Sequence, residues 1–119
     1  MINSIQIFKP YSIVAVPFPF TDRNYTKKRP ALVISQEDYQ KYTHHCVLMM
    51  ITSAKQSQWK LDIPIQNIDS TGLPGFSIIR PKVFTLDERL ILRTIGRLSE
   101  KDQVAVNAAL SPIFIGLSM

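Results

Sequence analysis

The chain has 119 residues, 45% of them apolar, which suits one domain with one modest core. Its 14 Lys and Arg against 9 Asp and Glu give a net charge of +5, compatible with nucleic acid or an acidic protein partner. The single cysteine, Cys46, excludes an internal disulfide, and no apolar run approaches the roughly 20 residues that span a bilayer.

From the N-terminus, MINSIQIFKPYSIV lacks the charged leader and small-residue cleavage site of a secretory signal, so a cytoplasmic location and no membrane partner are expected. YSIVAVPF (11–18) is rich in β-branched and aromatic residues and predicts a strand. PFPFTDRNYTKKR follows as a long polar loop. PALVIS (30–35) and CVLMMIT (46–52) are continuous apolar runs, the pattern of strands covered on both faces. QEDYQKYTHH between them has room for one or two helical turns. KLDIPI (60–65) reads as a strand nearer the surface, and STGLPG as a turn. FSIIRPKVFTL (76–86) is a further strand, in which Pro81 requires an edge or a bulge. ILRTIGRL (91–98) is a short strand broken by Gly96. Ser99 is a good N-cap for a helix running to about Leu110, with Glu100 and Asp102 favouring its dipole. Many short strands followed by one helix predict a mainly-β fold over residues 1–119: a bent sheet or partly open barrel, one face covered by a C-terminal α-helix.

His44, His45 and Cys46 are adjacent, without the spaced pairs of a zinc site, so no metal or other cofactor is expected. Phosphate-loop, dinucleotide and nucleophile-elbow motifs are absent from the sequence. What remains is a set of cations and hydroxyls at strand ends. Pro30 biases Arg29 towards an extended backbone and so aims its side chain. Thr52 and Ser53 close the neighbouring apolar run. Arg80 and Lys82, two apart in one strand, should share a face, where they either pair with carboxylates such as Asp87 or Glu88 or bind phosphate. The arginine fork binds two phosphate oxygens at once, and a hydroxyl beside it adds a hydrogen bond. Tyr25 and Trp59, in polar loops, are candidates for stacking on unpaired bases, whereas Phe18 and Phe20 suit the core.

These blocks, in order, resemble a known family. IVAVPFPFTD, KRPALVIS, LMMITS and GLPGFSIIRPKVFTLDERLILRTIGRLSEKD are similar to the MazF/PemK/Kid toxins of bacterial toxin–antitoxin systems, over about residues 11 to 110, with PFPFTD pointing to a PemK-like branch. The resemblance implies an SH3-like, partly open barrel with a C-terminal helix, usually a homodimer. It implies a metal-independent, sequence-specific endoribonuclease acting on single-stranded RNA, in which the 2′-OH attacks the phosphorus to leave a 2′,3′-cyclic phosphate. By family match, Arg29, Thr52 and Arg80 are the catalytic positions. Asp22, Tyr25, Lys27, Lys28, Ser53, Trp59 and Lys82 are the RNA-binding candidates, with 19–29 and 53–60 as the reading loops. Lys82 stands where Kid-like members carry an Asp, which leaves the acceptor of the 2′-OH proton unassigned between Lys82 and other groups. A cognate antitoxin with a disordered, acidic and hydrophobic tail is the implied protein partner, and the +5 charge suits it. Two alternatives share this barrel: a CcdB-like, non-enzymatic inhibitor of DNA gyrase, and a degenerate domain that binds RNA or antitoxin without cutting.

Overall fold

Where a sequence runs apolar without alternation, both faces of its strand need cover, and the two central strands meet that need. A computed structural model of the chain describes residues 6–18, 27–53 and 59–116. In it β1 is Ser12–Phe18, β2 Lys27–Val33, α1 Glu37–Thr43, β3 His45–Thr52, β4 Ile63–Pro64, β5 Ile78–Asp87, β6 Arg93–Arg97 and α2 Glu100–Leu110. The strands make one curled antiparallel sheet in the order β4-β5-β3-β2-β1-β6, a half-barrel closed over by α2. The mainly-β, partly open barrel with a C-terminal helix agrees with the expectation.

Side chains of the central strands divide by parity between two cores. Val14, Val16, Ala31, Val33, Cys46 and Leu48 fill one. Ile13, Leu32, Met49, Ile51 and Ile79 fill the other, which Leu98 and Val106 close from the α2 side. Burial pushes the Cys46 thiol up to about 11, with the Glu88 charge adding to the effect, so this cysteine is a core residue. α2 starts where Ser99 caps it: the Ser99 hydroxyl accepts from the Asp102 N–H at 3.3 Å. Asp102 is buried and accepts the backbone N–H groups of Gln66 and Asn67, at 3.1 and 3.0 Å, which fastens the helix to the loop after β4.

Three expectations need correction. The loop before PALVIS ends earlier than its polarity indicates: Lys27, Lys28 and Arg29 are already in β2, paired with Phe18, Pro17 and Val16. Ladder hydrogen bonds join backbones and tolerate solvated side chains along an exposed strand end. β3 pairs with β2 only over Ala31 to Val33, so Pro30 sits where β2 is an edge on that side. KLDIPI yields only the two-residue β4, because residues 59–62 turn: the Asp62 N–H donates to the Trp59 carbonyl at 3.1 Å. The third concerns Gly96, which does not interrupt β6; the register shift falls at Ile95, between Thr94 opposite Val14 and Gly96 opposite Ile13. Pro81 does mark a bulge, since Met50 pairs with Arg80 and Met49 with Val83, leaving Pro81 and Lys82 outside the ladder.

The turn at 69–72 lies directly on β6. The Ser70 hydroxyl donates to the Arg97 carbonyl at 2.7 Å, and the Arg97 N–H donates to the Ser70 carbonyl at 2.9 Å. A Cβ at Gly96 would collide with the backbones of Thr71 and Ser70, which no side-chain rotation relieves. Gly96→Ala should therefore cost about 2 kcal/mol or more, read as a lower urea midpoint at unchanged slope; a wild-type midpoint would contradict this packing.

Candidate active site

Strand register carries the central pair of residues. β2 and β3 pair Ala31 with Met50, and continuing that antiparallel register by two residues brings Arg29 level with Thr52. Thr52 is itself paired on its other side with Ile78 of β5. At these strand ends lies a cleft of about 470 Å³. It is lined by Arg29 and Pro30 of β2, by Ile51, Thr52 and Ser53 at the end of β3, and by residues 73–77. Arg29 is exposed, and among the described residues no carboxylate is within ion-pair distance of it. Thr52 is half-buried. Arg29 is also the one ionisable group among the described lining residues. The cleft thus offers an available guanidinium beside hydroxyls, an arrangement suited to an anion with several oxygens.

Arg80 is elsewhere. Its Nε donates to Asp62 Oδ1 at 3.1 Å and its Nη2 to Asp62 Oδ2 at 2.9 Å. The two side chains are 12% and 9% exposed. The Arg80 guanidinium holds the Asp62 carboxyl below the usual carboxylate range, and Asp62 in turn raises Arg80. The partner of Arg80 is therefore neither Asp87, which is bound to Arg89 at 2.8 Å, nor Glu88, which faces His44 at 3.3 Å. Lys82 is exposed within the bulge, so its spacing from Arg80 is not that of a regular strand and gives no ground for a shared face. Trp59 stands beside Arg80, in a second groove. Lys27 and Lys28 are exposed on the outer end of β2. Asp22 and Tyr25 lie outside the described residues.

Of the expected set, Arg29, Thr52 and Ser53 line one cleft, while Arg80 and Trp59 contact each other outside that lining. Sequence reading placed a turn at 70–75 but missed that residues 73–77 line the cleft, including Phe76, which is 49% exposed. Its signal was present as an aromatic directly after the Gly-Leu-Pro-Gly turn, a place where a ring has little core to join. A larger cavity of about 560 Å³ lies between the start of α1 and the end of α2. Its charged lining residues, Glu37 and Asp38, are both acidic and would repel a phosphodiester.

A family model described as PemK-like, MazF-like toxin of type II toxin–antitoxin system matches residues 9–114. No curated protein sequence matches the chain. Among solved structures, MazE–MazF from Deinococcus radiodurans superposes with a TM-score of 0.73 at 19% identity, covering 95% of this chain and 100% of that one. An endoribonuclease in complex with its cognate antitoxin, from a mycobacterial species, gives 0.71 at 13% identity, with 95% and 97% covered. MazF from Deinococcus radiodurans gives 0.70 at 16%, with 91% and 96% covered.

The Asp62–Arg80 pair makes stability depend on pH with a definite sign. A carboxylate depressed in the folded state stabilises above its unfolded value, near 3.9, and loses that contribution as pH falls through the lower folded value. Asp62→Asn should melt several degrees below wild type at pH 7, with the gap closing as pH drops below about 4. A gap independent of pH, measured by thermal melts across that range, would show that the pair is not ionised as described.

Proposed function

The chain belongs to the PemK-like, MazF-like toxins of type II toxin–antitoxin systems, and from that premise we propose that it is a sequence-specific endoribonuclease cutting single-stranded RNA without a metal. The observation that carries the proposal is Arg29 and Thr52 at one cleft, with no carboxylate among the described residues engaging the arginine. In this reading the 2′-oxygen of the nucleotide preceding the cut attacks the adjacent phosphorus and gives up its proton. The bond from phosphorus to the 5′-oxygen breaks, and that oxygen takes a proton. The products are a 2′,3′-cyclic phosphate and a 5′-hydroxyl. Negative charge grows on the non-bridging oxygens in between, where the Arg29 fork and the Thr52 hydroxyl would meet it. Ser53 adds a further donor at the same edge.

The described lining residues contain no carboxylate or imidazole. The 2′-OH proton therefore passes to water or to a group outside them, and residues 19–26 contain one carboxylate, Asp22. Lys27 and Lys28 would attract the RNA backbone from the outer end of β2. Phe76, exposed at the cleft wall, is a natural stacking surface for a base beside the cut. A second copy of the chain and an antitoxin with an acidic tail complete the assembly we propose. The antitoxin is supported by the complexes formed by structurally similar toxins and by the +5 charge.

Purified protein should cleave a long single-stranded RNA in excess EDTA, leaving cyclic phosphate ends. Arg29→Ala and Thr52→Ala should each lower kcat/KM by about 100-fold with melting temperatures unchanged. Cleavage within threefold of wild type in either variant would remove that residue from the chemistry. Binding of RNA without any cleavage by the wild type would favour a non-cutting RNA-binding domain.

A further inference from the structure

Trp59, Asp62 and Arg80 hold one another through both main chain and ring. The Trp59 backbone N–H donates to Asp62 Oδ2 at 2.9 Å, and the Asp62 N–H donates back to the Trp59 carbonyl at 3.1 Å. Both Asp62 oxygens also receive Arg80, whose guanidinium carbon stands over the indole, 5.6 Å from its centroid. That is close enough for a cation–π contact. Yet the indole is not buried by this arrangement: Trp59 remains 45% exposed. With Lys60, Leu61, Pro81 and Ile113 it lines a groove of about 470 Å³.

The Arg80 guanidinium is already forked onto a carboxylate, which directs its charge to Asp62 and the indole. Together Arg80 and Asp62 present almost no net charge, and neither lines the cleft of Arg29 and Thr52. The groove is nevertheless within reach of that cleft. β5 and its approach carry Ser77 at the cleft and Pro81 at the groove, four residues and so at most about 13 Å apart along the strand. That spacing is within the reach of a nucleotide next to a scissile phosphate held at Arg29.

We propose that Arg80 is a positioning residue: with Asp62 it fixes the Trp59 indole as a stacking platform for an unpaired nucleobase next to the scissile phosphate. This rests on the RNA-cleaving function proposed above. A ring already held in place loses little freedom when a base stacks on it, which is the advantage of fixing it beforehand. Lys60 at the groove edge supplies a cation for the attached phosphate.

The chain has a single tryptophan, so its emission reads this site directly. The probe is a random-sequence single-stranded RNA pool whose 2′-oxygens carry methyl groups and cannot attack. Wild type should show saturable quenching by this pool. Asp62→Asn and Arg80→Gln should shift the emission of the free protein to longer wavelength and weaken the quenching. Each should raise KM for RNA cleavage about tenfold while kcat stays within threefold. Melting curves accompany both variants, so that loss of the fold is distinguished from loss of the platform. If Arg80→Gln loses kcat by about 100-fold with emission and KM unchanged, Arg80 works in the chemistry and the proposal fails. If wild type cuts RNA but its tryptophan never responds to the pool, the platform is wrong while the ribonuclease stands. If wild type neither cuts RNA nor binds the pool, the ribonuclease reading fails and takes this one with it.

Discussion

The structure depends on β3 being held from both sides and covered on both faces. β2 pairs along one edge and β5 along the other, and alternate side chains enter two separate cores. A strand fixed in this way cannot slip by one residue, because Leu48 and Met49 would have to exchange cores. That rigidity extends to the strand end, where the candidate site lies. Thr52 remains paired with Ile78, and Arg29 leaves the same register just beyond the last pair shared by β2 and β3. The cleft residues need no elaborate local support, since the core behind them supplies it.

Two kinds of arginine follow from this frame. Arg29 is exposed at a strand end and without a carboxylate among the described residues, so its charge is available to a ligand. Arg80 sits beside a bulge, neutralised by Asp62 and laid over an aromatic ring. Side-chain type alone does not separate the two surroundings; the partner does. The bulge contributes as well, because leaving Pro81 and Lys82 out of the ladder turns Pro81 to the edge of the Trp59 groove.

Much of the fold was legible because burial leaves a strong pattern. PALVIS and CVLMMIT do not alternate, and both became doubly covered strands; Ser99 followed by acidic residues became a capped helix. Pro81 announced its bulge through the hydrogen bond it cannot make. The pairing of Arg29 with Thr52 at one site was legible from strand ends together with the family resemblance. The rest depends on contacts distant in sequence. Asp62 and Arg80 are 18 residues apart, and nothing local marks Asp62 as the acceptor. STGLPG (70–75) read correctly as a turn, but Phe76 and Ser77 were read as strand, and which site the 73–77 segment would cover is set by the curl of the sheet. Lys27 to Arg29 looked like loop because their side chains are charged, whereas the ladder they join is made by backbone groups.

The central claim is that Arg29 and Thr52 act together on one phosphate, and a double-mutant cycle on RNA cleavage tests it most directly. The rates of wild type, Arg29→Ala, Thr52→Ala and the double variant would be compared on one RNA with a mapped cut site. If the two groups act as a unit, the double variant falls within about threefold of the slower single variant. Losses that simply multiply would mean that the residues serve separate tasks, and would contradict the account.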